Sequence, residues 1–448
     1  MADALVKKYD VPVPRYTSYP AMPDWQLEEF NVAAWKDQIR RGFAGSTEEG
    51  ISMYIHLPYC ESLCTYCGCN TRITINHAVE MPYIEALLSE WKLYLAEFGE
   101  KPVLRELHLG GGTPTFFSPQ NLKLLISSIL ETVTVHPDHS FSLEGHPGNT
   151  TFEHLKTLYQ LGFRRVSFGI QDFDLKVQKA INRLQSYEQV QQVTEWSRQL
   201  GYDSVNYDLI YGLPFQTQDS IRHTVKLVSQ LVPDRIAFYS YAHVPWFKPG
   251  QRAYSEKDLP KGDEKRALND LGRAELQALG YTDIGMDHFA LPTDSLSIAM
   301  QVGKLHRNFM GYTEQAGSFL VGLGASSISD SGVGYAQNVK VVEQYMELVN
   351  QGELPVFKGH SMTEQEQDVK QLILDIICNR WVTKGHVNAL PEERQFQFIE
   401  MVEEGLLTDE WGDYRVSELG TQYLRNICSV FDPYFGSQRT KPTFSQAV

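Results

Sequence analysis

Ile51-Ser-Met-Tyr-Ile-His-Leu-Pro-Tyr-Cys-Glu-Ser-Leu-Cys-Thr-Tyr-Cys-Gly-Cys69 joins two signals without a gap. Ile51 to Leu57 is an apolar run of strand length, and behind it four of the chain's six cysteines fall in the spacing C-x3-C-x2-C-x-C. A strand running straight into a cysteine loop places those thiols at its C-terminal end, where parallel α/β folds keep their chemistry. Such density calls for a soft metal or a redox role. Disulfide frameworks fit poorly, because they belong mostly to small secreted chains. Zinc is the competing reading, although zinc knuckles commonly split their ligands into two separated pairs. Three thiolates on one tight loop, with a fourth set off by the single residue between Cys67 and Cys69, suit a cubane iron-sulfur cluster better. Three protein ligands would leave one iron free to chelate a small molecule, as a catalytic zinc site keeps a position open.

The same reading extends outward. Strand candidates follow at Val103 to Leu109, Ser140 to Glu144, Arg165 to Ile170, Ser204 to Ile210 and Arg235 to Tyr241, with helical periodicity between them: Ile84, Leu87, Leu88, Trp91 and Leu95 share one face, as do Leu122, Leu125, Ile126 and Ile129. About six parallel βα units predict an α/β fold, a partial or full (β/α) barrel spanning 46–345. Informative motifs recur at strand ends: Gly110-Gly-Gly-Thr-Pro114 after the second, Glu144 at the third, Gln171 after the fourth and Tyr211-Gly-Leu-Pro214 after the fifth. The glycine run is neither a Walker loop nor G-x-G-x-x-G. It suits a tight strand-to-helix turn or a close ligand approach equally well.

Residues 1–45 read as an N-terminal arm, proline- and tyrosine-rich and non-helical over Tyr9 to Pro20. Residues 346–448 read as a mostly helical C-terminal domain. Helices at Thr363 to Asn379 and Glu393 to Glu404, a short hairpin with a Trp-Gly-Asp turn and a helix at Glu418 to Cys428 give it a winged-helix pattern. At a formal charge of -15 over 448 residues the chain lacks the field for nonspecific nucleic-acid binding. No run approaches the ~18 apolar residues of a spanning helix and the start shows no signal-peptide core, so no membrane association and a cytoplasmic location are expected. Cys378 and Cys428 sit on apolar helical faces and read as inert buried thiols, and His56 and His108 as ordinary core histidines.

A C-x3-C-x2-C loop paired with a downstream glycine run resembles the radical S-adenosylmethionine (AdoMet) superfamily. The resemblance narrows on Pro14-Arg-Tyr-Thr-Ser-Tyr-Pro20, Tyr54-Ile-His-Leu-Pro-Tyr-Cys60, Cys67-Gly-Cys69, Leu109 to Thr115, Val166 to Asp172, Asn182-Arg183, Asp208 to Pro214, Gly285 to Ala290 and His306 to Tyr312. Together these look like the oxygen-independent coproporphyrinogen III oxidases, over nearly the whole chain. The resemblance implies one 4Fe-4S cluster on Cys60, Cys64 and Cys67, with Cys69 a family marker outside the cube. It implies AdoMet held by Tyr54, Gly111 and Glu144, with Ile328 beside it and Tyr66 near the adenosyl groups. A second AdoMet is implied at Gly112, Thr113, Gln171, Arg183, Asp208 and Ala242. The implied reaction turns two propionates of coproporphyrinogen III into vinyl groups through a 5'-deoxyadenosyl radical, fed by a low-potential donor such as flavodoxin or ferredoxin. The implied enzyme is a monomer of haem biosynthesis.

Two departures stand out: Gly145-His146-Pro147 replaces the more frequent Val-Asp-Pro, and Met310 stands where some members carry glutamine. The substrate's four carboxylates need local cations, for which Arg15 and Arg307 are candidates. His288 and His306 are expected to face substrate, and the arm to help seal the barrel mouth. Haem-handling chaperones of the same family, alkyl transferases on the same scaffold and zinc-binding interaction proteins are the alternatives. Cys69 favours the oxidase over the chaperones.

Overall fold

Ile51–Leu57 is almost wholly buried and lies near the middle of a twelve-stranded sheet, which is why it reads as an unbroken apolar run rather than an alternating one. The computed structural model describes residues 2–25, 30–46, 48–315, 317 and 319–436. From Leu320–Leu323 the sheet passes through Ile51–Leu57, Val103–Gly111, Thr134–Gly145, Phe163–Gln171 and Ser204–Tyr211 to Arg235–Ser240, every neighbour parallel. Antiparallel strands extend both ends: Ile328–Asp330, Gly334–Asn338 and Val356–Ser361 on one side, His288–Ala290 and Thr282–Gly285 on the other. The sheet therefore stays open, a partial barrel rather than a closed one.

Four of the βα helices start on a hydroxyl cap. Ser118, Thr151, Ser186 and Thr217 accept a backbone N–H at the head of Pro119–Leu130, Phe152–Gln160, Tyr187–Leu200 and Gln218–Leu231. Glu80–Phe98, the helix after the first parallel strand of the chain, stops at Gly99, whose φ of 73° a glycine adopts without strain. The helices bury Trp91, Leu122, Leu158, Val190 and Val228 against the sheet in one continuous core, which also takes Trp35, Ile39 and Phe43 from the earlier helix Val32–Ala44. Burying an aliphatic or aromatic side chain of this kind contributes about 1.5–3 kcal/mol.

A second core joins the two ends of the chain. Leu5, Tyr9, Val13, Tyr16 and Tyr19 pack with Ile376, Phe398, Ile427 and Phe431. The arm begins as a helix, Ala2–Tyr9, before the expected irregular stretch. It docks on the C-terminal helices instead of covering the cysteine loop: Arg425 and Asn426 donate to the carbonyls of Pro14 (3.2 Å) and Tyr9 (2.9 Å), and Tyr16 Oη donates to Asp432 (3.0 Å). The expected hairpin is present as Leu407–Glu410 and Asp413–Val416, joined by Trp381–Val382 and flanked by Glu364–Leu374, Glu392–Glu403 and Leu424–Phe431. Val356–Ser361, read as part of the helical end, is an edge strand of the large sheet. Cys378 and Cys428 are buried in the second core. Among the described residues no helix is long and apolar enough to cross a membrane.

Candidate active site

The cysteine loop is held down by side chains from many elements. Asn182 donates to Leu63 O (2.8 Å), Gln251 to Tyr66 O (3.2 Å) and Lys248 to Cys69 O (3.0 Å), while Thr65 N–H donates to Ile181 O (2.9 Å). His56 bridges Asn70 O (2.8 Å) and the Tyr54 hydroxyl (3.1 Å), so this core histidine ties the first strand to the far end of the loop. The glycine run makes room for the loop itself. A Cβ on Gly111 would lie 2.6 Å from His56 Nδ1, at a φ of 112° that disfavours any side chain, and one on Gly112 would lie 2.6 Å from Pro58 C.

A cavity of about 560 Å³ opens at these strand ends. Cys60, Cys64 and Cys67 line it with Tyr66, and so do Gly111, Gly112 and Thr113 of the glycine run. Glu144, Gln171, Arg183 and Asp208 complete the predicted set on its walls. Tyr54 lies behind, its ring stacked on His108 at 5.9 Å, and Ala242, which does not line the cavity, is tied to it through Gln251, which bonds the carbonyls of both Ala242 (3.2 Å) and Tyr66. Ile328 does not line the cavity; it packs beside Trp25, Tyr335 and Phe309. His146 lines the cluster side, whereas Met310 faces a second cavity inside the barrel that shares Glu144, Ser167, Asp208 and Tyr239 with the first. His288 also faces that inner cavity, and burial together with the Arg307 charge takes it down to about 4. His306 lines neither.

Two carboxylates face this space in opposite electrostatic states. Burial opposes ionisation of Glu144, but the hydrogen bond and charge of His108 and the Gly111 N–H (3.2 Å) outweigh it and keep its pKa below the ordinary value. For Asp208 burial and the nearby Glu144 charge win over the hydrogen bonds from Ser167 (3.1 Å) and Asn206 (2.8 Å), lifting it to about 6. His108 was read as a core histidine, yet it bonds Ser142 at 2.8 Å and lies 3.5 Å from Glu144. Its place two residues before the glycine run, on the face that alternation gives to Glu106 and Gly110, was the overlooked signal. Tyr239, on the walls of both cavities, carried no signal of its own.

The residues present fit an iron-sulfur cluster and a chelated ligand. Cys60 Sγ is hydrogen-bonded to Thr113 (3.3 Å), and Arg183 donates to Cys64 Sγ (3.6 Å), contacts that suit thiolate sulfur. Among the described residues no three His, Cys, Asp or Glu converge as the ligands of a single ion. In a cubane each thiolate binds a different iron. Gln171, in a left-handed conformation at φ 67°, leaves a buried Oε1 without a hydrogen-bond partner, and Arg183 leaves its Nε so. Both atoms belong to residues on the cavity wall, where a polar ligand would satisfy them.

Residues 54–228 match the Radical SAM superfamily. The chain is 35% identical to the oxygen-independent coproporphyrinogen III oxidase of Synechocystis sp. over 99% of its own length and 97% of the relative's, and 35% identical to that of Escherichia coli over 99% and 98%. The solved structure of the Escherichia coli coproporphyrinogen III oxidase, itself described as a radical SAM enzyme, superimposes with a TM-score of 0.88 at 34% identity, covering 96% of this chain and 98% of that one. With such identity sustained from end to end, the chain belongs to the oxygen-independent coproporphyrinogen III oxidase family of the radical SAM superfamily.

Proposed function

We infer that the protein converts coproporphyrinogen III to protoporphyrinogen IX in haem biosynthesis, by oxidative decarboxylation of two propionate side chains. The observation that carries this, beside the family identity, is one cavity at the ends of the parallel strands that gathers three thiols of a C-x3-C-x2-C loop next to the Glu144–Gly111 contact. When bound, a 4Fe-4S cluster and AdoMet supply hydrogen-atom abstraction from the propionate β-carbon. Cys60, Cys64 and Cys67 hold the iron. The Glu144 carboxylate, kept ionised, receives a cationic or hydroxyl group of AdoMet beside Gly111, Tyr54 and Tyr66. The walls formed by Gly112, Thr113, Gln171, Arg183 and Asp208, with Ala242 farther out, accommodate a second AdoMet, and Ile328, assigned beside the first, stands back from the cavity. Each turnover at a propionate releases CO2 and leaves one electron for an external acceptor.

Iron-sulfur potentials span about -700 to +450 mV, and reducing a sulfonium needs the low end, so a flavodoxin- or ferredoxin-like donor is the fitting partner. The unit is a cytoplasmic monomer of three parts: the arm, the sheet through Ser361, and the C-terminal helices. Anaerobic reconstitution with dithionite, AdoMet and coproporphyrinogen III, following 5'-deoxyadenosine and vinyl products together, tests the reading. Deoxyadenosine without vinyl product keeps the superfamily chemistry and rejects the substrate.

A further inference from the structure

Arg307 is buried to 8% exposure on the hairpin His306–Asn308/Gly311–Thr313, and two of its donors, Nε and Nη1, have no hydrogen-bond partner. Its guanidinium carbon lies 4.8 Å from the centre of the Tyr312 ring. A ring face satisfies the flat side of a guanidinium and leaves its N–H edge for an acceptor. Arg307 lines a cavity of about 510 Å³ where the arm, the outer side of the barrel and the C-terminal helices meet.

The same walls carry Arg15, Lys265, Arg273 and Arg425, more cationic charge than the aspartates among them offset. Arg15 reaches Asp287 at 3.4 Å, Lys265 donates to Tyr241 O at 2.8 Å, and Arg273 is paired with Asp283. Burial, and after it the Arg15 charge, holds Arg425 down to about 10 and lowers Lys265 as well. Like charges gathered this closely repel, and a bound anion relieves that repulsion. The cavity lies across the strand end from the active site: Ser240 lines it, while the preceding Tyr239, on the opposite face of the strand, lines both barrel cavities and feels the charges of Arg307 and Arg15.

We propose that this chamber is a carboxylate subsite, in which Arg307, seconded by Arg15, receives propionates of the tetrapyrrole that are not reacting. The assignment rests on the coproporphyrinogen reading above. It gives the hairpin a role in substrate orientation, since a guanidinium fork binds a carboxylate through two parallel bonds.

Coproporphyrin III, the fluorescent oxidised tetracarboxylate, and its tetramethyl ester are titrated into the anaerobically purified full-length protein and into R307Q and R15Q variants. The acid is expected to bind R307Q at least about tenfold more weakly than wild type and R15Q several-fold more weakly, with rising salt narrowing the gap and the ester unaffected. The KM for coproporphyrinogen III rises in parallel. Equal affinity for the acid in wild type and both variants overturns the subsite, as does an equal loss of acid and ester, which marks a scaffold residue. Wild type that neither binds the acid nor converts coproporphyrinogen III rejects the functional reading itself. Should R307Q not fold, R15Q, which replaces a partly exposed side chain, decides by the same criteria.

Discussion

The amide of Gly111 and the carboxylate of Glu144 meet across two neighbouring parallel strands, N to Oε2 at 3.2 Å, so the glycine run and the third strand share one polar anchor. Gly111 reaches that position only in a left-handed conformation, with His56 against its missing side chain.

G111A therefore strains the backbone and drives His56 off its bonds to Asn70 and Tyr54. A loss of about 2–3 kcal/mol in stability is expected from the φ penalty and the clash together. Urea denaturation measures it, and AdoMet affinity should fall in the same variant. A variant as stable as wild type would show that the loop can move aside.

H108F removes the group that most favours the ionised form of Glu144, without opening a hole beside Tyr54. The Glu144 pKa then rises, so the acid limb of the pH profile for AdoMet binding moves to higher pH. Calorimetric titration from pH 4 to pH 8 reads the shift. An acid limb that stays in place rules out His108 as the controlling neighbour.

Asp208 titrates in the opposite direction. Its native pKa of about 6 stands above the unfolded value of 3.8, so the native state binds the extra proton and stability falls as pH rises between those values, then levels. D208N removes that dependence. Relative to wild type it should gain about 3 kcal/mol between pH 4 and pH 7, with the difference vanishing below pH 4, as denaturation curves at each pH will register.

Serine at Cys60, Cys64 or Cys67 should lower bound iron and acid-labile sulfide and abolish vinyl product. Serine at Cys378, in the second core, should cost some packing stability and leave the iron content intact. Iron retained at full stoichiometry in all three loop variants would exclude the assignment of ligands.

The strands that position the site were legible because burial writes them plainly. Ile51–Leu57 is covered on both faces, and its predicted ends coincide with the observed ones. Thr134–Gly145 was half seen, because Thr134 to Asp138 are mostly exposed and carry no apolar pattern. Val356–Ser361 escaped for the same reason, as an edge strand with exposed Phe357 and Ser361. At the site, cysteines and glycines announced themselves by spacing. His108 and Tyr239 did not, since their importance comes from neighbours supplied by other strands. Arg307 was suggested by the charge of its expected ligand, but only tertiary packing could reveal that its donors lack acceptors.

The bonds from Arg425 and Asn426 to the arm span more than four hundred residues of sequence. The large sheet and its cysteine loop lie wholly between those two anchor points in the sequence. Because Arg425 both holds the arm and lines the basic cavity, displacing the arm would also disturb a wall of that cavity.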